Sequence, residues 1–177
     1  MVMKIYNNPN LNKKHIGGVM AIGNFDGLHL GHRKVIKEAK KKANRFKLPF
    51  GVMTFEPVPV MFFNKNKKDH RINSLDQKIQ YFKKLKLDFL IIIKFNKKFS
   101  SLTAENFIKK IICKKTKCKY LYISKNFKFG LRRQGNIHTL RRFEKELNYK
   151  CVITKPYKQK NKMISSTLIR KNIRLGK

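Results

Sequence analysis

The segment VMAIGNFDGLHLGH, residues 19–32, decides the fold of this chain. Its first four residues are apolar and predict a buried strand, whereas residues 34–45 carry apolar side chains at helical spacing. Glycines at positions 23, 27 and 31 predict a tight turn between the two elements. The order of strand, glycine-rich turn and helix is typical of an α/β protein with a parallel sheet.

This turn has the features of a phosphate-binding loop. Backbone amides at a helix N-terminus are unpaired and carry partial positive charge, and glycine lets an anion approach the main chain closely. His29 and His32 would lie beside such an anion and could donate to oxygens that gain charge during nucleotidyl transfer. The simpler alternative is a tight turn in which the histidines cap the helix.

Strand and helix patterns alternate along the rest of the chain. Further strands are predicted at residues 49–55, 89–93, 119–124 and 150–154, and helices at residues 75–86, 104–114, 136–148 and 165–176. The strand at 89–93 is continuously apolar, as in a parallel strand covered on both faces. We therefore predict a single α/β domain with a doubly wound, Rossmann-like parallel sheet.

Three loops follow predicted strands: the first loop (residues 23–31), the second loop (residues 56–63) and the third loop (residues 125–135). Pro57 and Pro59 predict a rigid second loop. Ligands of doubly wound sheets bind beyond the carboxyl ends of the strands, so we expect these loops to line one crevice.

Composition limits the class of protein. A chain of 177 residues with 41% hydrophobic content suits one globular domain. No stretch is long and apolar enough to cross a membrane, and the N-terminus lacks a signal-peptide pattern, so we expect a cytoplasmic location. Three cysteines without a CxxC pair indicate buried, reduced thiols rather than a zinc site.

The net charge of +35, from 44 basic and 9 acidic residues, would ordinarily suggest a nucleic-acid partner. The lysines, however, are spread in short runs along the whole chain instead of forming one basic arm. Asn, Ile and Phe, whose codons are also AT-rich, are enriched as well. We therefore favour drift in genomic base composition as the main source of the charge, with attraction of anionic substrates and nonspecific nucleic-acid contact as consequences.

A second candidate phosphate site is the segment ISSTLIR, residues 164–170. It places the hydroxyls of Ser165, Ser166 and Thr167 at a predicted helix start and Arg170 one turn later. Hydroxyls, unpaired amides and a guanidinium all bind phosphate oxygens. Taken alone, an N-cap followed by a basic helix is the simpler interpretation. Together with the first loop, phosphate binding is favoured.

Four motifs resemble, in order, those of the bacterial FAD synthetase family, the FMN adenylyltransferase half of bifunctional riboflavin kinase/FMN adenylyltransferases. The first loop resembles the active-site loop of this family and of the wider HxGH nucleotidyltransferases, and residues 164–170 resemble its ISSTxxR signature. Residues 54–63 are similar to TFEPHPxxFF, with Val58 in place of His, and residues 124–130 to G-x-[DN]-F-x-F-G, with Ser124 in place of Gly. Residues 71–75 and 95–107 also follow the family pattern and are expected to be scaffold.

The resemblance implies transfer of AMP from ATP to FMN, giving FAD and pyrophosphate, by in-line attack of the FMN phosphate on the α-phosphate of ATP. Its implied catalytic residues are His29, His32 and Arg170. The implied ATP-binding residues are Gly23, Asn24, Phe25, Asp26, Gly31, Ser165, Ser166 and Thr167. The implied flavin-binding residues are Pro57, Val58, Pro59, Phe63, Asn126 and Phe129, although core packing is the alternative for Phe62 and Phe63.

A Mg²⁺ ion is expected with the substrates, held mostly by their oxygens, because only Asp26 and Glu56 among the nine carboxylates lie in motif loops. Residues 1–177 are expected to form the adenylyltransferase domain alone, without the riboflavin kinase domain of the family. Two alternatives are another HxGH nucleotidyltransferase that acts on a different small phosphate, and a nucleic-acid-binding or decayed homologue that retains the fold. No feature of the sequence indicates an oligomeric state.

Overall fold

A six-stranded parallel sheet forms the centre of the computed structural model, which describes residues 2–64, 66, 70–159 and 162–176. The strands are β1 (Lys4–Tyr6), β2 (Val19–Ile22), β3 (Phe50–Glu56), β4 (Phe89–Lys94), β5 (Tyr120–Ser124) and β6 (Lys150–Thr154). They lie in the order β1-β4-β3-β2-β5-β6. A separate antiparallel pair joins β7 (Lys158–Gln159) and β8 (Lys162–Met163).

Helices connect the strands. The α-helices are α1 (Leu30–Phe46), α2 (Pro59–Phe63), α3 (Leu75–Lys84), α4 (Lys97–Ser100), α5 (Ala104–Asn106), α6 (Ile137–Arg142) and α7 (Ser166–Arg174). A π-helical segment continues α5 over Phe107–Lys115, and short 3₁₀ turns occupy Lys13–His15 and Leu131–Arg133. No helix within the described ranges is long and apolar enough to cross a membrane.

The alternation of side chains along each strand builds two hydrophobic cores, one on each face of the sheet. On one face Val19 and Ala21 of β2 belong to the same cluster as Val35 and Ile36 of α1. On the other face Met20 and Ile22 join the cluster of the π-helical segment, whose buried residues are Phe107, Ile108, Ile111 and Ile112. This double covering confirms the predicted doubly wound α/β sheet.

The order of the strands reverses next to β2. From β2 the chain adds β3 and β4 on one side, then returns to place β5 and β6 on the other side. All five of these strands are paired in parallel, so their carboxyl ends share one edge of the sheet. The first loop leaves β2 at this reversal, where doubly wound sheets bind ligands.

Three local expectations need correction. The edge strand β1, paired with β4, was not predicted, because three residues are too few to show a period. The helix predicted at residues 136–148 ends at Arg142, because the backbone turns out of the helix at Phe143 (φ −92°, ψ −1°) and continues in hydrogen-bonded turns. The second loop is helical from Pro59, because proline at the first helical position has its φ already fixed.

Candidate functional site

A cavity of about 540 Å³ lies at the carboxyl edge of the sheet and is lined by all three loops and by α7. Twelve of the seventeen predicted site residues line it: Gly23, Asn24, Phe25, Asp26, His32, Val58, Pro59, Phe63, Asn126, Phe129, Ser166 and Arg170. Segments far apart in the chain therefore meet in one crevice, as expected for this sheet topology.

The other five predicted residues are described by the structure but do not line this cavity: His29, Gly31, Pro57, Ser165 and Thr167. Thr167 lines a smaller neighbouring cavity of about 400 Å³, together with Lys171 and Arg174. His70 and Arg170 line both cavities, so the two are adjacent.

His29 is the N-cap of α1. Its Nδ1 accepts a hydrogen bond at 3.4 Å from the amide of His32, and the two imidazole rings stack with centroids 3.6 Å apart. A side chain at position 31 would meet the His29 ring, because a Cβ on Gly31 would lie 3.1 Å from it. The capping interpretation therefore holds for His29, whose ring also supports that of His32.

His32 has a partly buried and neutral imidazole. Desolvation of the ring, with smaller contributions from the neighbouring His29 and Lys78, lowers the pKa of His32 to about 3. Among the described residues its Nδ1 has no hydrogen-bond partner, and the ring meets Phe25 edge-on with centroids 5.4 Å apart. Because Nδ1 is buried and His32 lines the cavity, we infer that this ring would meet a ligand through Nε2. Burial also lowers the pKa of His29, whereas Asp26 raises it.

Asp26 connects the first loop to two other parts of the chain. Its carboxylate accepts hydrogen bonds from the amide of Ile72 at 2.8 Å and from Arg170 Nη1 at 2.8 Å. The amide of Asn73 donates to the same carboxylate at 3.4 Å, and the Ser166 hydroxyl donates to the Asp26 carbonyl oxygen at 2.8 Å. These partners compensate a carboxylate whose side chain is only 7% exposed. Residues 71–75 thus help to shape the site, although they were expected to be scaffold.

The hydroxyls at the start of α7 have separate partners. Ser165 is the N-cap and accepts a hydrogen bond from the amide of Leu168 at 3.3 Å, so the capping interpretation holds for this residue. Ser166 lies in the cavity wall and bonds to Asp26, whereas Thr167 is exposed. The helix itself buries none of its residues.

One end of the cavity is aromatic. Eight phenylalanines line the cavity, and seven of these lining rings, together with Phe62, form one connected group with neighbouring centroids between 5.1 and 6.3 Å apart. The eighth lining ring, Phe25, contacts His32 instead. Phe63 is 68% exposed, so core packing is the wrong interpretation for it. Val58 is buried in the same wall. The seven lining rings of the connected group are Phe55, Phe63, Phe95, Phe99, Phe107, Phe127 and Phe129.

Sequence reasoning missed several lining residues. Phe95, Phe99 and Phe107 were expected to be scaffold, although their phenylalanine spacing beside the end of β4 was a usable signal. Arg132 and Arg133 lie within the third loop but were assigned no role, and both line the cavity and add positive charge to it.

The cavity is electropositive, because Lys128, Arg132, Arg133 and Arg170 line it together with a single carboxylate, Asp26. Asp26 holds Arg170, and Glu56 lies 3.1 Å from Arg71 and 3.8 Å from Lys78. In the part of the chain that the structure describes, no three His, Cys, Asp or Glu side chains gather as metal ligands. The residues present therefore suit a polyphosphate better than a protein-held metal ion.

The family model for FAD synthetase matches residues 11–168. The chain belongs to the FAD synthetase family. The bifunctional riboflavin kinase/FMN adenylyltransferase of Buchnera aphidicola subsp. Schizaphis graminum (strain Sg) is 39% identical over 163 residues, which are 92% of this chain and 52% of the relative. The Escherichia coli (strain K12) protein of the same name is 33% identical over 154 residues, 87% of this chain and 49% of the relative. The chain thus spans about half the length of these relatives.

Solved structures support the fold. A chain described as a macrolide-efflux protein from Streptococcus pneumoniae superposes with a TM-score of 0.81 at 24% identity, covering 98% of this chain and 57% of that one. A pantoate-beta-alanine ligase from Francisella tularensis superposes with a TM-score of 0.62 at 19% identity, covering 98% of this chain and 76% of that one. The predicted family and the predicted α/β fold are both confirmed by these comparisons.

Proposed function

We propose that this chain is an FMN adenylyltransferase, which transfers AMP from ATP to FMN and releases pyrophosphate. The observation that carries the proposal is a cavity whose wall holds both a connected group of aromatic rings and the polar side chains of His32, Ser166 and Arg170. A flavin mononucleotide combines the matching features, because its apolar ring system is joined to a phosphate. Membership in the FAD synthetase family supports the same choice.

The aromatic end suits the flavin ring. Phe63, Phe129 and Val58 offer apolar contact on the cavity wall, and Pro59 adds a rigid edge beside Pro57. Asn126 lines the same cavity and can pair its side-chain amide with a flavin carbonyl or ring nitrogen. Ring and amide together would fix the orientation of the flavin.

The cationic end suits the phosphates. In the proposed reaction an oxygen of the FMN phosphate bonds to the α-phosphorus of ATP while the bond to the β-phosphate breaks, so no protein nucleophile is needed. His32, supported by the stacked His29, would donate to the α-phosphate oxygens. Arg170 would offset charge on the departing pyrophosphate. The remaining proposed ATP contacts are Gly23, Asn24, Phe25, Asp26, Gly31, Ser165, Ser166 and Thr167.

Asp26 and Glu56, the two carboxylates of the motif loops, are bound to cationic side chains and do not fit a resident metal ion. We propose that Mg²⁺ enters with ATP and is held by phosphate oxygens. The chain's own contribution is then to position both anions and to exclude water between them.

Separation of flavins by chromatography tests the proposal after incubation of the protein with FMN, ATP and Mg²⁺. The wild-type chain should form FAD, and His32→Ala should form it at least about 100-fold more slowly, the scale of losing one preorganised donor. His138→Ala, at an exposed histidine on α6, is the matched control and should retain the wild-type rate.

Wild-type protein that forms no FAD would overturn the proposal. Adenylylation of another small phosphate, with FMN left unused, would instead favour a different HxGH nucleotidyltransferase. We further propose that residues 1–177 carry no riboflavin kinase activity, so that riboflavin with ATP should yield neither FMN nor FAD.

A further inference from the structure

Lys78 on α3 is a buried lysine whose side chain is 1% exposed. Lysine normally keeps its ammonium group in water, because removal of a charge from water is costly. Here Nζ lies 3.8 Å from Oε2 of Glu56, which ends β3. Burial lowers the pKa of Lys78, whereas Glu56 and Asp26 act in the opposite direction and favour the charged form. The burial of Lys78 therefore needs a structural explanation, which lies in the contacts of its ammonium group.

Residues 71–78 form a bridging segment between the first and second loops. Arg71 Nη1 lies 3.1 Å from Oε1 of Glu56, at the start of the second loop. The amides of Ile72 and Asn73 donate hydrogen bonds to Asp26 in the first loop. Lys78 forms a second ion pair with Glu56. The two loops proposed to bind ATP and FMN are thus both held from one short segment.

The two contacts to Glu56 differ in strength because they differ in exposure. The Arg71 side chain is 40% exposed, so water screens its ion pair with Glu56. The Lys78 ammonium is shielded from water, and its attraction to the same carboxylate is correspondingly less screened. Lys78 therefore adds an unscreened attraction to the hydrogen-bonded ion pair that Arg71 makes with Glu56.

We propose that Lys78 is a positioning residue for adenylyl transfer. Through its contact with Glu56, Lys78 holds the second loop in a fixed position relative to the first loop. The inference rests on the proposed function, since in-line attack requires both reactants at a fixed separation. Small displacements of bound reactants are costly in rate or affinity. Lys78 does not touch substrate in this role and acts only through the loop that it holds.

Steady-state kinetics of Lys78→Met test the role. The KM for FMN should rise roughly tenfold, because the second loop loses its anchor. The KM for ATP should stay within about twofold, because the backbone amides that hold Asp26 are unchanged. Lys78→Arg should restore most of the FMN affinity, and Lys83→Met, at an exposed lysine on the same helix, should behave as wild type.

The double variant Glu56→Gln/Lys78→Met isolates the pair. Its KM for FMN should lie within about twofold of that of Lys78→Met, because Glu56→Gln removes in addition only the water-screened contact with Arg71. If Lys78→Met does not fold, Glu56→Gln gives the same test with the lysine present, and its KM for FMN should rise similarly.

Several results would overturn the role of Lys78. These are an unchanged KM for FMN, or equal increases in both KM values together with a lower melting temperature, as expected of a merely structural residue. A titration of FMN fluorescence without ATP separates the two proposals. Wild-type protein that binds FMN as tightly as Lys78→Met excludes the positioning role alone, whereas wild-type protein that forms no FAD overturns the proposed function and this role with it.

Discussion

Replacement of Asp26 by Asn tests whether this residue joins the first loop to α7. The substitution keeps the size of the side chain and removes its charge. In the native chain the carboxylate accepts from Ile72 and from Arg170, each at 2.8 Å, and it is nearly buried. Asparagine offers one oxygen and one amino group, so it can accept from Ile72 only by presenting a donor to the Arg170 guanidinium.

The size of the effect follows from these contacts. A hydrogen bond to a charged group contributes about 1.5–3 kcal/mol, and the Arg170 side chain, 21% exposed, would be left partly desolvated without its anion. We expect Asp26→Asn to lower the free energy of unfolding by about 2–3 kcal/mol. For a chain of this length that corresponds to roughly 4–12 °C in melting temperature.

Urea denaturation of a double-mutant cycle measures this contact directly. Asp26→Asn and Arg170→Gln are each compared with wild type and with the double variant, at constant pH and ionic strength. The expected coupling energy is about 1–3 kcal/mol, because the two residues share one contact. Additivity within about 0.5 kcal/mol would refute the reasoning and would show that α7 is held by other means.

Two other predictions concern acid stability and the third loop. Because the pKa of His32 is about 3 in the folded chain against 6.5 ordinarily, the unfolded chain binds more protons between these values, and stability falls as the pH drops below about 6.5. Between pH 7 and pH 4.5 the free energy of unfolding measured in urea should fall by about 2–3 kcal/mol less in His32→Gln than in wild type. The same fall in both proteins would contradict this. Gly130→Ala should destabilise the fold, because its Cβ would lie 2.6 Å from the Ala104 nitrogen at a φ of +73°. The control Gly176→Ala has φ +64° and open space, so it carries only the backbone cost of about 1 kcal/mol, and equal melting of both variants would argue against the clash.

Five of the six strands of the sheet were predictable because parallel strands are covered on both faces. The apolar run of β4 indicates such a strand, and in the structure Leu90 and Ile92 lie in one core while Phe89, Ile91 and Ile93 lie in the other. The end of α6 was not predictable, because apolar side chains at helical spacing continue through Phe143 and Leu147 although the helix ends at Arg142. Local pattern thus identified these elements but not where each of them ends.

The site was predictable to the extent that its chemistry is local. Two motifs can each be recognised within ten consecutive residues: the glycine-rich turn with its two histidines, and the hydroxyl-rich start of a helix. The contact between Asp26 and Arg170 joins residues 144 positions apart, so it has no periodic signature. Lys78 is one of many lysines in the sequence, and only its burial distinguishes it. Long-range ion pairs of this kind require the fold before they can be recognised.

Helix α7 buries none of its residues, and the polar contacts described for it are to Asp26. An element with so little apolar contact opens locally at a small free-energy cost. Docking of the helix and binding of any ligand that needs Arg170 are therefore linked equilibria. The apparent affinity of such a ligand is reduced by the fraction of chains with the helix undocked, and a ligand with enough negative charge to retain the helix slows its own dissociation. We therefore expect the residence time of a ligand that contacts Arg170 to rise with the ligand's negative charge.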